Sequence, residues 1–242
     1  MLRLSAPGIH DVVCRLLADQ PGGRLLDPAT GTGSLIPNLL ALGYAVEAGD
    51  LDPSAYTLAS PPCRPLDLAE RLPYADASFD VIVCLETLEH LPSPRHALGE
   101  FARILRPGGR LVVSTPNVQS LLSRIKFFLW GTLDFFDTLR PGEPAPFWLG
   151  KGHISPLHFP VLQHALREAG LSVETIATNR PALESVGARF GARPALRLLT
   201  SAAAPLVRLA ARTRYPGDPV ARVMCDPALL HGETVIIRAR RS

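Results

Sequence analysis

The sequence has little cysteine and no C-x-x-C pair: Cys14, Cys63, Cys84 and Cys225 stand far apart. That argues against a disulfide framework or a zinc–cysteine site and points to a reducing cytoplasm. No run approaches the roughly 18 apolar residues of a membrane span. The first residues, MLRLSAPGIHDVV, lack the apolar stretch of a signal peptide. There is no internal repeat and no low-complexity tract. Charged residues are sparse, 19% against 47% hydrophobic, which excludes a mostly disordered chain. Lysine is nearly absent, Lys126 and Lys151 being the two exceptions among 25 basic residues. A formal net charge of +3 excludes a uniformly basic, histone-like protein.

What is present fits one α/β domain over residues 1–242 with insertions. The 24 prolines punctuate it heavily. Charge is divided unevenly. Residues 1–179 carry 14 basic and 18 acidic side chains, net −4, and residues 180–242 carry 11 and 4, net +7.

Apolar spacing predicts a helix over 8–19 packed on a sheet edge. RLLD at 24–27 reads as a buried strand, followed by a glycine turn and a helix ending at Gly43. AVEAG at 45–49 is a second strand, Pro53–Ala59 a short helix, and 61–66 leads to a brief third strand ended by Asp67. FDVIVCL at 79–85 is a buried strand. A helix over 94–105 stops at RPGG, and RLVVST at 110–115 is the fifth strand. This alternation implies a doubly wound, mostly parallel sheet. Ser155-Pro156 offers a cap for a helix over 157–169, and Leu171–Ala177 and Glu233–Ala239 complete seven strands.

Ligands of such sheets bind at the carboxyl ends of the strands. Those ends carry Asp27 with the Gly31/Gly33 loop, Asp50, Asp67 and Glu86. The loop reads D-P-A-T-G-T-G, not G-x-G-x-x-G, and Asp27 would repel a phosphate. It suits a ligand with a cationic amino group, while an acid ending the second strand can accept from ribose hydroxyls.

In this order, RLLDPATGTG, AGDLDP, LDLAERLPYADASFDVIVCLETLEHL and LRPGGRLVVSTPN resemble the motifs of Rossmann-like S-adenosylmethionine-dependent methyltransferases. Ala29 stands where the first glycine of that family usually sits. The resemblance implies a final antiparallel strand and S-adenosylmethionine as cofactor. It implies that Asp27, Ala29, Gly31 and Gly33 cradle the cofactor and that Asp50, with Leu51, holds the ribose diol. Asp67 and Leu68 would flank the adenine, and Leu85 would lie near the sulfonium.

E-T-L-E-H places Glu86, Glu89 and His90 at i, i+3 and i+4, on one face if the turn is helical. Two carboxylates and an imidazole can ligate a divalent cation such as Mg2+. The pattern is similar to that of quinone-biosynthesis O-methyltransferases and of small-RNA terminal 2′-O-methyltransferases. By that likeness His153, in KGHISPLHF, takes the place of their later histidine. The cation would orient a hydroxyl and lower its pKa. In metal-free relatives the Glu caps a helix and the His packs, leaving His153 or His90 as general base.

Residues 118–152 exceed an ordinary connection and hold Phe127, Phe128, Trp130, Phe135, Phe136, Phe147 and Trp148. They are expected to form a lid over the acceptor, or a helix pair covering the sheet edge. The insertion at 181–230 contains an apolar-basic stretch, 194–214, with Arg197, Arg208, Arg212 and Arg214, divided or kinked at Pro205. It is expected either to meet an anionic membrane surface or phosphate-bearing acceptor, or to pack on the core with a solvated Arg face.

The expected function is O-methylation of a hydroxyl on a small-molecule, glycan, quinone or lipid-type acceptor. The expected location is the cytoplasm, with peripheral contact on the inner face of the membrane. RNA 2′-O-methylation is an alternative, although the lid lacks the cationic density to hold a phosphate backbone. A non-catalytic, cofactor-binding scaffold is another.

Overall fold

The computed structural model describes residues 6–20, 22–133, 135–136, 152–183, 193–216 and 225–242, and within 193–199 the side chain of Leu198 alone. The strands are β1 (Gly23–Asp27), β2 (Tyr44–Asp50), β3 (Cys63–Pro65), β4 (Phe79–Cys84), β5 (Leu105–Pro116), β6 (Leu171–Ala177) and β7 (Thr234–Arg241). The helices are α1 (Ile9–Leu17), α2 (Ile36–Ala41), α3 (Pro94–Ile104), α4 (Leu121–Trp130), α5 (Phe159–Glu168), α6 (Arg193–Arg214) and α7 (Pro227–His231).

The strands form one seven-stranded sheet in the order β3-β2-β1-β4-β5-β7-β6. β7 alone runs against its neighbours, β5 and β6. Successive side chains on a strand point to opposite faces, and the central strands are apolar on both. Leu25, Val81, Val83 and Val112 face one layer, holding α1 and α2 through Ile9, Val13, Leu17, Ile36 and Leu39. Leu26, Ile82, Cys84, Leu111 and Val113 face the other, holding α3 and α5 through Leu98, Phe101, Phe159 and Leu162.

Chain direction across the sheet reverses between β1 and β4, since β2 and β3 lie to one side and β5 to the other. The crevice at that switch point, at the carboxyl ends, is where such sheets bind ligands.

Five local expectations change. α1 packs on the face of the sheet rather than at its edge, because Ile9, Val12, Val13 and Leu17 make a wide apolar stripe. The helix expected at Pro53–Ala59 is a single 3-10 turn, Pro53–Ala55. Beyond it the Thr57 hydroxyl and amide both turn to the Thr32 carbonyl. RPGG belongs to β5, not to a gap before it. Phe79 pairs with Leu105 and Val81 with Arg110, so the glycines form a bulge, with Gly108 at φ +78°. Ser155 does not cap α5, which starts at Phe159 behind His158, because its hydroxyl donates to the Leu91 carbonyl at 2.8 Å. Pro205 does not divide α6, which runs unbroken from Arg193 to Arg214.

Of the insertion at 118–152, residue 134 and residues 137–151, including Phe147 and Trp148, lie outside the described set. So do 184–192 and 217–224 of the insertion at 181–230, and the side chain of Arg197. No described helix is long and apolar enough to cross a membrane.

Candidate functional site

The loop after β1 is drawn tight against the end of β2. The Gly31 amide donates to Asp50 Oδ2 at 2.7 Å, and the Thr30 amide to the Gly49 carbonyl at 3.0 Å. Gly31 and Gly33 take φ values of +55° and +81°, a region costly for other residues. A Cβ at Gly33 would also lie 2.6 Å from the ring of Tyr56. That ring is held in place because its hydroxyl donates to the Pro61 carbonyl. Ala29 needs no such freedom: its backbone stays out of the left-handed region and its methyl packs on the core. This accounts for alanine being accepted where the family pattern has glycine.

Asp27 ends β1 and is buried. Loss of water pushes its carboxyl up to about 7; the Thr30 hydroxyl and Ala29 amide alongside oppose the shift and the charge of Asp50 adds to it. A buried acid of this kind lacks a cationic partner among the described residues, and a ligand ammonium group would supply one. Asp50 Oδ1 also accepts from the Asp52 amide, at 3.1 Å.

Along the same edge, Leu51 is exposed just beyond β2 and Leu85 is half-buried just beyond β4. Asp67 is exposed, its Oδ1 accepting from the Ala69 amide at 2.8 Å, while Leu68 is buried in the core. The structure thus brings Asp27, Ala29, Gly31, Gly33 and Asp50 into one loop cluster, with Leu51, Asp67, Leu68 and Leu85 at neighbouring strand ends.

The E-T-L-E-H segment is not the helical turn that its spacing predicts. Glu86 takes a left-handed backbone, φ +49°, and only Leu88–His90 forms a 3-10 turn. Glu86 lies near Glu89 but does not join the cluster that Glu89 and His90 form with His153. Its Oε1 accepts from the Ser114 hydroxyl at 2.8 Å, and its amide donates back to that hydroxyl at 3.0 Å. Burial raises its carboxyl above the usual range.

Glu89, His90 and His153 do converge: one ligand atom from each lies within 4.8 Å of the others. Glu89 is fully buried, and neither carboxylate oxygen has a hydrogen-bond partner. Desolvation, then the nearby charge of Glu86, pushes its carboxyl well above the usual carboxylate range. The His90 and His153 rings meet edge-on with centroids 4.7 Å apart, and Phe136 leans on His153 at 5.2 Å. Burial lowers both imidazoles from their ordinary value, and for His153 the neighbouring His90 adds to the effect. Both are neutral near pH 7 and carry lone pairs for a proton or a cation.

Backbone contacts assemble this group from distant segments. The Glu89 carbonyl accepts from the amides of Ile154 and Ser155, each at 2.9 Å. Sequence reasoning missed Ser114, Thr115 and Tyr56. Ser114 and Thr115 had a signal, as polar residues at the carboxyl end of the apolar run RLVV; the Thr115 hydroxyl is buried beside Glu89 and opposes the rise of its carboxyl.

Residues 4–176 match the family described as "Methyltransferase domain". The ubiquinone biosynthesis O-methyltransferase of Xylella fastidiosa (strain M23) is 31% identical over 202 residues, covering 76% of this chain and 75% of that one. The 27-O-demethylrifamycin SV methyltransferase of Amycolatopsis mediterranei is 29% identical over 201 residues, covering 75% and 67%. Among solved structures, an S-adenosylmethionine-dependent methyltransferase from Mesorhizobium loti shares the fold with a TM-score of 0.56 at 15% identity, over 97% of this chain and 99% of that one. The [4+2]-cyclase SpnF does so with a TM-score of 0.55 at 21%, over 99% and 83%. With its strand order, acid-ended strands and glycine loop, the chain belongs to the methyltransferase domain family and is a Rossmann-like, S-adenosylmethionine-dependent methyltransferase.

Proposed function

We propose that this enzyme methylates a hydroxyl oxygen of a small, glycan or amphiphilic quinone- or lipid-type acceptor. The observation that carries this reading is the convergence of Glu89, His90 and His153 beyond β4. The relatives named above, which act on oxygen, support it.

Asp27 and the Gly31/Gly33 loop would hold the amino acid end of the donor, and Asp50 its ribose. Leu51, Asp67 and Leu68 would border the adenine, and Leu85 the sulfonium. Held there, S-adenosylmethionine would supply a methyl carbon open to in-line attack by the acceptor oxygen, with a neutral thioether as the leaving group. The hydroxyl proton passes to a neutral imidazole, His153 or His90.

The donor set also fits a divalent cation. A buried carboxylate without a partner, Glu89, faces two imidazole nitrogens, and His90 uses only its Nδ1 in bonding the Gly152 carbonyl. One oxygen and two nitrogens suit a first-row transition ion better than Mg2+, which prefers oxygen, and Glu86 is engaged with Ser114. Such an ion would lower the pKa of the acceptor hydroxyl.

Phe136, against His153, supports the reading of 118–152 as the acceptor's lid. The test is transfer of a radiolabelled methyl group to hydroxylated quinone precursors, glycans and lipids, after chelation and after adding back Mg2+, Mn2+ or Zn2+. Label on oxygen supports the proposal. Label found only on nitrogen or carbon of every acceptor overturns it.

A further inference from the structure

α6 is apolar on two opposite faces, and among the described residues only one is packed. At about 100° per residue, Thr200, Ala204, Val207 and Ala211 share a face. Ala204 and Val207 on that face pack against Leu121 of α4 and Leu230 of α7. On the opposite face stand Leu198, Leu206 and Leu209, at 73%, 67% and 61% exposure. They spread along about 16 Å of helix, at a rise of about 1.5 Å per residue. Arg208 and Arg212 flank this stripe, both exposed. α4, in the same helical layer, ends on Phe128 and Trp130 at 87% and 68% exposure.

Exposed leucines in such a row call for a partner. The charge says which kind. Neither 121–130 nor 193–214 contains a single Asp or Glu, so every charged side chain of these two helices is cationic. A second copy, docked about a two-fold axis, would set these arginines against their own counterparts. A bilayer carrying anionic headgroups meets both needs: leucines enter the acyl boundary while arginines stay with the phosphates. We propose that the outward face of α6 docks this enzyme on an anionic lipid bilayer. The proposal goes beyond the assignment of the acceptor and stands independently of it.

The test is co-sedimentation of the full chain with vesicles of pure phosphatidylcholine and of phosphatidylcholine with 30–40% phosphatidylglycerol (about one-third anionic lipid, enough for the surface attraction at issue). Binding should be at least about tenfold stronger to the anionic vesicles and weaken as salt is raised. L206E/L209E should lose it by at least about tenfold, and R208E/R212E should lose the preference for anionic lipid. Circular dichroism and calorimetric titration of S-adenosylmethionine show that each variant is folded, since none of these residues belongs to the site. In a W148F background, Trp130 emission should shift to the blue on vesicle binding. Three results overturn the proposal: no binding to either vesicle, equal binding to both, or a concentration-dependent dimer in sedimentation velocity that L206E/L209E abolishes.

Discussion

His90 gives its Nδ1 proton to the carbonyl oxygen of Gly152, 3.0 Å away and 62 residues later in the chain. A carbonyl only accepts, so this contact settles the tautomer and leaves Nε2 with its lone pair. It also draws His153 against the His90 ring. Both imidazoles sit below their ordinary value because burial disfavours the cation. Acid pH must then protonate them before their function is lost. With donor saturating, kcat should hold through neutral pH and fall only below pH 6.5, the ordinary histidine value. H153A should lower kcat by about 10²-fold or more and remove that acid limb. A kcat for H153A that keeps the wild-type acid limb would take His153 out of proton transfer.

Asp27 titrates separately and acts on donor binding. Its carboxyl, raised to about 7, is largely protonated at pH 6 and ionised at pH 8. A cationic amino group binds the ionised form, so affinity for S-adenosylmethionine should rise by roughly tenfold between those pH values. The same carboxyl favours the folded donor-free protein while protonated, and that contribution is lost as pH rises through about 7. Calorimetry in buffers of different ionisation enthalpy should detect proton release on binding near pH 6. D27N should bind weakly, with no pH dependence in this range.

These two sites differ in how legible they were. The acids at the strand ends stand out because each interrupts an apolar run: Asp27 after Leu25-Leu26, Asp50 after a half-buried strand, Glu86 after FDVIVCL. The pattern of adjacent apolar residues likewise announces strands covered on both faces, as Leu25 and Leu26 show by entering different layers. The orientation of Glu86 was not legible. Spacing puts it with Glu89 and His90, and only the structure shows the left-handed backbone and the Ser114 hydroxyl that engages its carboxylate instead. Nor was the clip between Glu89 and Ile154–Ser155, because backbone hydrogen bonds between distant segments leave no periodic trace. The outward leucines of α6 were visible as apolar residues, but which apolar face would be packed depended on the position of Leu121.

The glycine loop allows a sharper test than the acids do. At Gly33 an alanine must adopt φ +81° and press its methyl toward Tyr56 Cε2, 2.6 Å away on an anchored ring. Strain of this kind costs about 1–3 kcal/mol. G33A should lose at least about tenfold in affinity for S-adenosylmethionine, with a modest drop in Tm. Y56A should partly restore binding in the G33A background, since it removes the obstructing ring. A G33A/Y56A double variant as weak as G33A would mean that the backbone conformation alone is responsible.

Glu89 carries the most direct test of the cation site. Folding buries its carboxyl without a partner, so the folded state prefers the protonated form. The cost of ionisation therefore grows as pH climbs above the ordinary carboxylate range, and it is absent below that range. E89Q removes the charge while keeping the shape. In cation-free protein it should raise Tm by about 2–4 °C at pH 8, the shift expected for roughly 1 kcal/mol in a domain of this size. The gain should vanish near pH 4. A cation held by Glu89, His90 and His153 reverses the sign, because it supplies the missing partner. Added Mn2+ or Zn2+ should then raise the Tm of the native enzyme above that of E89Q and leave E89Q unmoved. Equal responses of the two proteins to every divalent cation tried would show that Glu89 holds none, and that His90 and His153 act as bases without a metal beside them.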